Sequence, residues 1–272
     1  DMRDILISFV GMTPAEVNEG FLTGIEFLRS NYTQENFLSI IWTLGCISGS
    51  TKSKLESTFV IESMKFVLDI FRLPDVDKAV VASCFLFLAS SYAKAQKLTP
   101  LFVEVAINLS IQALDSNKTQ KIAANTLLSI SKYSTSLIKS IPQGLIEIVA
   151  GAPIPPETFR IISEACGRIY QANDKIETVL KIVYDRFLAV LSNEEMNFNI
   201  ALEHIIVMNG FVGLSRVNPN SVEKLVNNNR KTFLDITTTF GNNILQIIEE
   251  EGIEATSRDD IHMMMAFIQS EA

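Results

Sequence analysis

The sequence predicts an all-α chain of antiparallel helix pairs stacked in a superhelical array, and three observations predict it. Hydrophobic residues make up 47% of the 272 residues and charged residues 20%, with a mean hydropathy of +0.24. That is enough apolar material for a long core and too little charge for disorder. Glycine (12) and proline (8) are sparse and turn dipeptides are widely spaced, which argues against the frequent turns of a β-sandwich or barrel. Apolar residues recur at helical spacing along the chain, punctuated by helix-start signals.

The elements follow from those signals. Helices are predicted near 2–10, 14–30, 35–49, 55–72, 77–92, 100–115, 118–133, 136–150, 157–172, 174–191, 196–216 and 221–250, with a shorter one near 257–269. Thr13-Pro14-Ala15-Glu16 combines a capping box with proline at the first helical position, and Thr99-Pro100 opens a helix in a similar way. Ser53-Lys-Leu-Glu56, Asp174-Lys-Ile-Glu177 and Ser192-Asn-Glu-Glu195 repeat the capping-box spacing. The 174–191 segment reads as an outer helix: Asp174, Lys175, Glu177, Lys181, Asp185 and Arg186 face solvent around a stripe of Ile176, Val179, Leu180, Val183 and Phe187.

The long helices come in pairs whose first members start near 55, 100, 136, 174 and 221, a spacing scattered around the ~40–47 residues of HEAT and armadillo repeats. Gly151-Ala-Pro-Ile-Pro-Pro156 is the richest turn-forming stretch and is short enough to be one loop inside a pair. One continuous HEAT-repeat α-solenoid over 1–272 is therefore expected. The chain opens on Asp1-Met2-Arg3-Asp4-Ile5-Leu6, on a helical period and without an initiating methionine, and is expected to be a segment of something longer.

Charge and chemistry narrow the function classes. With 23 Lys and Arg against 31 Asp and Glu, the net charge is −8, and no basic stripe is present to neutralise phosphates, so direct nucleic-acid binding is not expected. Apolar runs break well before the ~18–20 residues that span a bilayer, so no membrane insertion is expected. Cys46, Cys84 and Cys166 lie in apolar runs without CxxC spacing, as core-filling thiols do. His204 and His262 are far apart, no phosphate-binding glycine motif occurs, and the carboxylates fall on solvated faces or in runs such as Glu249-Glu250-Glu251. No catalytic residue, metal site or cofactor is expected, and the chain reads as a non-enzyme. Met263-Met264-Met265 reads as packing for a neighbouring element.

Two helices depart from amphipathic expectation. In 55–72, Phe59, Val60, Ile61, Met64, Phe66, Val67, Leu68, Ile70 and Phe71 cover nearly the whole circumference. In 100–115 the same holds for Leu101, Phe102, Val103, Val105, Ala106, Ile107, Leu109, Ile111, Ala113 and Leu114. Both occupy the same place in successive pairs, so their surplus apolar faces lie side by side. Ile61, Met64, Leu68 and Phe71 can form a second stripe facing the neighbour. Periodicity admits two readings: a hydrophobic groove between these helices, or helices that are simply core.

A family resemblance bears on that choice. Trp42-Thr-Leu-Gly-Cys-Ile-Ser-Gly49, preceded by Glu35-Asn-Phe-Leu, resembles a W-x-x-G-x-x-S-G helix of the exportins that carry leucine-rich nuclear export signals, HEAT-repeat members of the importin-β (karyopherin) superfamily. Asp1-Met-Arg-Asp-Ile-Leu is similar to that family's N-M-R-E-x-L helix, and Asp77-Lys-Ala-Val-Val-Ala-Ser83 to its N-K-A-I-I-A-S, with Tyr92 where its helix ends in Q-Y. Pro142 to Ala172, with Phe159, Glu164-Ala165, Gly167 and Tyr170-Gln171-Ala172, is similar to its T-F-Y-E-A-x-G segment. The resemblance is strong over 1–172 and pattern-level beyond.

The resemblance implies a middle-to-C-terminal part of an export receptor, with an export-signal groove within 55–133. It places Ile61, Met64, Lys65, Leu68 and Phe71 on one wall, Phe102, Ala106, Leu109 and Ala113 on the other, and Lys78, Ala82 and Leu86 behind and beside the floor. The implied partners are cargo proteins with leucine-rich export signals, nucleoporins and, for the whole protein, the GTPase Ran in its GTP form; the implied location is nucleus and cytoplasm, with shuttling through the nuclear pore. The sequence departs from the family where the loop between 55–72 and 77–92 is about two residues shorter, where 100–115 lacks the family's basic residues, and where Phe71 replaces a frequent cysteine. A structural HEAT scaffold without a groove, and an importin-like carrier of basic cargo, are the rival readings.

Overall fold

The computed structural model describes residues 2–50, 54–96, 98–138, 141–191 and 198–251. Among them the chain is all-α, a HEAT-like stack of helix pairs without strands. It divides into two compact units, 1–142 and 143–272.

The first unit holds α1 (Met2–Met12), α2 (Pro14–Ser30), α3 (Gln34–Cys46), α4 (Lys54–Phe71), α5 (Lys78–Lys94), α6 (Pro100–Ala113) and α7 (Gln120–Tyr133). Side-chain caps start several of them: Thr33 accepts from the Asn36 amide, Asp77 from those of Ala79 and Val80, and Thr99 from that of Phe102. At α2 the first-turn proline supplies the start, without a capping bond from the Thr13 side chain. Helix α5 packs against α3, α4, α6 and α7, and its Val81, Phe85, Leu86, Leu88, Ala89 and Tyr92 are buried. The α3 contact is close enough that a Cβ on Gly45 would lie 2.1 Å from the Phe87 ring. On the α7 side, the Thr126 hydroxyl donates to the Leu86 carbonyl at 3.0 Å and Ser90 bonds Ser129 at 2.8 Å.

The second unit holds α8 (Gly144–Gly151), α9 (Pro156–Gln171), α10 (Ile176–Leu191), α11 (Phe198–Ser215), α12 (Pro219–Asn228) and α13 (Arg230–Glu251). Its closest packing is α9 on α11. A Cβ on Gly213 would stand 2.3 Å from the Arg160 carbonyl oxygen and 3.0 Å from the Glu164 amide, so backbone meets backbone. Phe187 stacks on Phe233 with centroids 4.5 Å apart and meets Phe211 edge-on at 5.9 Å.

Four expectations are corrected. The helix expected over 136–150 is a 3-10 turn at Thr135–Leu137 followed by α8, because Pro142 cannot donate to a preceding turn and disfavours helix before itself. The helix expected over 221–250 breaks at Asn229, whose side chain donates back to the Leu225 carbonyl at 2.8 Å. Asp174 does not cap α10: it takes a left-handed φ of 55° and closes α9, where the Lys175 amide bonds the Tyr170 carbonyl at 2.9 Å. The helix near 257–269, His262, the methionine run, and the start residues Ser53 and Ser192 lie outside the described residues.

The fourth correction is Arg186, expected at the surface and found buried. Its guanidinium pairs with Glu203 of α11, through Nε to Oε1 and through Nη2 to Oε2 at 3.0 Å. Nη1 donates to the Val149 carbonyl at 3.1 Å and Nη2 to that of Ala152 at 3.3 Å, so it caps the C-terminus of α8, and the group lies 4.8 Å from the Phe159 ring. One side chain from α10 thereby fastens α8, α9 and α11.

Gly213→Ala is expected to destabilise the chain by about 3 kcal/mol, because no side-chain movement relieves a backbone clash. Gly20→Ala, with open space around the added carbon, is expected to stabilise it by about 0.5–1 kcal/mol; urea unfolding of both variants checks the contrast. Arg186→Met should cost about 1–3 kcal/mol, chiefly by leaving two helix-end carbonyls without their donor, measured the same way.

Candidate functional site

The predicted groove helices α4 and α6 both stand on α5, and that sorts the predicted lining by depth. Half of the predicted lining is enclosed. Met64 of α4, Leu86 of α5 and Ala106 of α6 are 0% exposed, and Phe102, Ala82 and Ala113 are buried with them. These positions, expected on the walls and floor of an open groove, are core in the folded chain. Ile61, Leu68, Phe71 and Leu109 are half-buried, on the flanks of the buried stripes. Lys65 is exposed and pairs with Glu62 at 3.0 Å. Val105, half-buried one turn before Leu109, belongs with the accessible set and was missed, since its alternation with buried neighbours gives no sign of depth.

Neither helix is apolar all round. Glu62, Lys65 and Asp69 form a narrow polar edge on α4, where Asp69 meets Arg72, one residue past the helix, at 3.4 Å and Arg29 of α2 at 3.6 Å. On α6, Glu104, Asn108 and Gln112 form a polar stripe.

Lys78 and Phe71 are brought together. The ammonium donates to the carbonyls of Phe71 and Leu73 and lies 5.3 Å from the centroid of the Phe71 ring. The connection 72–77 is short enough for the first residue of α5 to reach the end of α4.

A second concave face is formed by α3, α5 and α7. A cleft of about 640 Å³ is lined by Leu38, Trp42, Val80 and Phe87, with Asp77 and Lys118 beside them. An adjoining cleft of about 630 Å³ carries Lys94, Lys118, Lys121, Lys132 and Tyr133. Lysines scattered from 94 to 132 form no run in the chain, so this face had no sequence signal beyond the exposed Trp42 of the quoted motif.

Burial disfavours the thiolate at Cys84 and Cys166. All three cysteines are buried, and burial pushes the Cys84 thiol up to about 11 and that of Cys166 to about 12, because a thiolate is poorly solvated there. Among the described residues no group of three or more His, Cys, Asp or Glu side chains gathers as a metal site. No helix among them is long and apolar enough to cross a membrane.

No family model matches the chain. It is similar to Exportin-1 of Schizosaccharomyces pombe, 20% identical over 179 residues. That match takes in 61% of this chain and spans 16% of the length of the yeast protein. The likeness is distant and of an exportin- or karyopherin-like kind.

Ala106→Glu is expected to lower stability by several kcal/mol, since it places an unpaired carboxylate in the core; thermal unfolding checks it. Iodoacetamide at pH 8 is expected to leave Cys84 and Cys166 unmodified in the folded chain and to alkylate them after denaturation, as read by intact mass. The unfolded chain ionises these thiols from about 9.0 while the folded chain holds them neutral to about 11 and about 12. Their contribution to stability is thus fully present below pH 9 and is lost as pH rises through that window.

Proposed function

We propose that the chain is part of a nuclear export receptor that binds leucine-rich export signals of cargo proteins across the α4–α6 flank. The observation that carries this reading is the set of half-buried apolar side chains Ile61, Leu68, Phe71 and Leu109 on two helices that share α5 as a floor. They lie in the segment where the sequence resembles the signal-binding part of exportins, and the distant likeness to a yeast exportin supports the same assignment.

An export signal is a short amphipathic segment with four or five spaced apolar anchors, recognised as a helix in a groove. Each anchor fully buried contributes about 1.5–3 kcal/mol, and ordering the peptide offsets much of that sum. Met64, Phe102 and Ala106 are covered in the folded chain, so deep anchoring requires these positions to be uncovered by a movement of their helices. In the whole protein that opening is proposed to be biased by Ran in its GTP form, with nucleoporin contacts carrying the complex between nucleus and cytoplasm, and with no reaction catalysed. The array over 1–272 is proposed to supply the scaffold that holds the two helices side by side.

The burial of Met64, Phe102 and Ala106 favours a second reading, a structural HEAT scaffold with no ligand at this place. A titration with a fluorescent leucine-rich peptide separates the two: saturable binding displaced by a second leucine-rich peptide and not by a lysine-rich one supports the receptor, and also rules against an importin-like carrier.

Leu68→Asp is expected to weaken that binding by at least about tenfold while moving the melting temperature by no more than about 2–3 °C, because a half-exposed carboxylate costs little in the free chain. Phe71→Cys is expected to create one reactive thiol whose modification blocks the peptide, whereas the native chain takes up no groove-directed electrophile; intact-mass spectrometry of both reads the outcome.

A further inference from the structure

We propose that Lys78 is a positioning residue for Phe71 and not a donor to a bound ligand. Phe71 ends α4, and the last carbonyls of a helix have no partner within it. The Lys78 ammonium supplies one, donating to the carbonyls of Phe71 and Leu73. It also lies 5.3 Å from the Phe71 ring centroid, within cation–π range. An ammonium has three donors; two are committed to the end of α4, and the ring takes its remaining face.

The placement is electrostatically specific. Lys78 is the first residue of α5, where a cation opposes the positive end of its own helix dipole, and it rests instead at the C-terminus of α4, where a cation is favoured. Its neighbour Asp77 serves α5, accepting from the amides of Ala79 at 2.9 Å and Val80 at 3.3 Å. Two adjacent residues of opposite charge thus cap two helices across the connection 72–77. The aromatic ring that ends α4 in the candidate site is held in place by a lysine that the resemblance places behind and beside the groove floor.

The inference rests on the proposed signal-binding flank, and its test keeps the two apart. Four proteins are compared: native, Lys78→Met, Phe71→Ala and the double variant, each titrated with the fluorescent leucine-rich peptide at two salt concentrations. Amide exchange at Arg72 and Leu73 is followed in the peptide-free native and Lys78→Met proteins. Lys78→Met is expected to weaken peptide binding about fivefold in the native background and not at all in Phe71→Ala, with an unchanged salt dependence, and to speed exchange at Arg72 and Leu73 about tenfold. Equal weakening in both backgrounds with a flattened salt dependence would overturn the inference in favour of a direct ligand contact. If the native chain binds no peptide, the receptor reading fails, and exchange alone decides: faster exchange upholds the clamp, and unchanged exchange removes it.

Discussion

The half of the molecule that carries the candidate site is organised around α5. Four helices pack on it, and both proposed walls, α4 and α6, reach their positions by burying one face against it. A helix so enclosed cannot shed water from its flanks without neighbours, so its stability is tertiary in origin. The Thr126 hydroxyl on the Leu86 carbonyl and the Ser90–Ser129 pair fix the sliding register of α7 along it. Ala82 of α5 and Ala106 and Ala113 of α6 are buried in this half of the molecule, where a larger side chain would have to displace close-packed neighbours.

The second unit is fastened by a charge instead. Arg186 is removed from water, and such a group is tolerated only when its donors are occupied. Here the occupancy comes from a carboxylate and two carbonyls of a helix end, with Phe159 beneath the guanidinium. The carbonyls of Val149 and Ala152 are left over because α8 is short and stops before the proline-rich 153–156 loop. A helix end without a local cap and an arginine without solvent satisfy one another. Glu164, also buried, follows the same logic with Arg168 at 3.0 Å and Arg216 at 3.7 Å.

Helix identity was legible almost throughout, because an apolar stripe marks segments such as 157–172 and 174–191, long apolar runs without turn signals mark the enclosed ones, and Thr33, Asp77 and Thr99 cap helices as their residue types demand. What was not legible depends on the partner surface. Apolar excess in 55–72 and 100–115 hid the exposed edge that each helix keeps, and residue type cannot tell Met64, which is enclosed, from Leu68, which is half open. Both are one stripe in the sequence, and α5 lies against only one side of it. Arg186 failed for the complementary reason: its neighbours Lys181 and Asp185 are exposed, and nothing in a charged helix face announces that one member is recruited by carbonyls 34 and 37 positions earlier. Asp174 fits the residue pattern of a helix start and equally the left-handed residue that ends the previous helix. Local sequence offered both roles, and the short connection to α10 selected the second.

The glycine contacts also constrain the order in which this chain can change over evolutionary time. At Gly45 the obstacle to a side chain is the ring of Phe87, so a smaller residue arising first at position 87 opens a route to alanine at 45, while the reverse order passes through a misfit. The two positions are an epistatic pair with a permissive sequence of events. Gly213 has no such route, since its obstacle is the main chain of α9 itself and no substitution elsewhere trims a peptide bond. Lineages diverging from this chain can exchange the α3–α5 contact by ordered replacement, whereas the α9–α11 crossing is fixed for as long as the helices keep their separation.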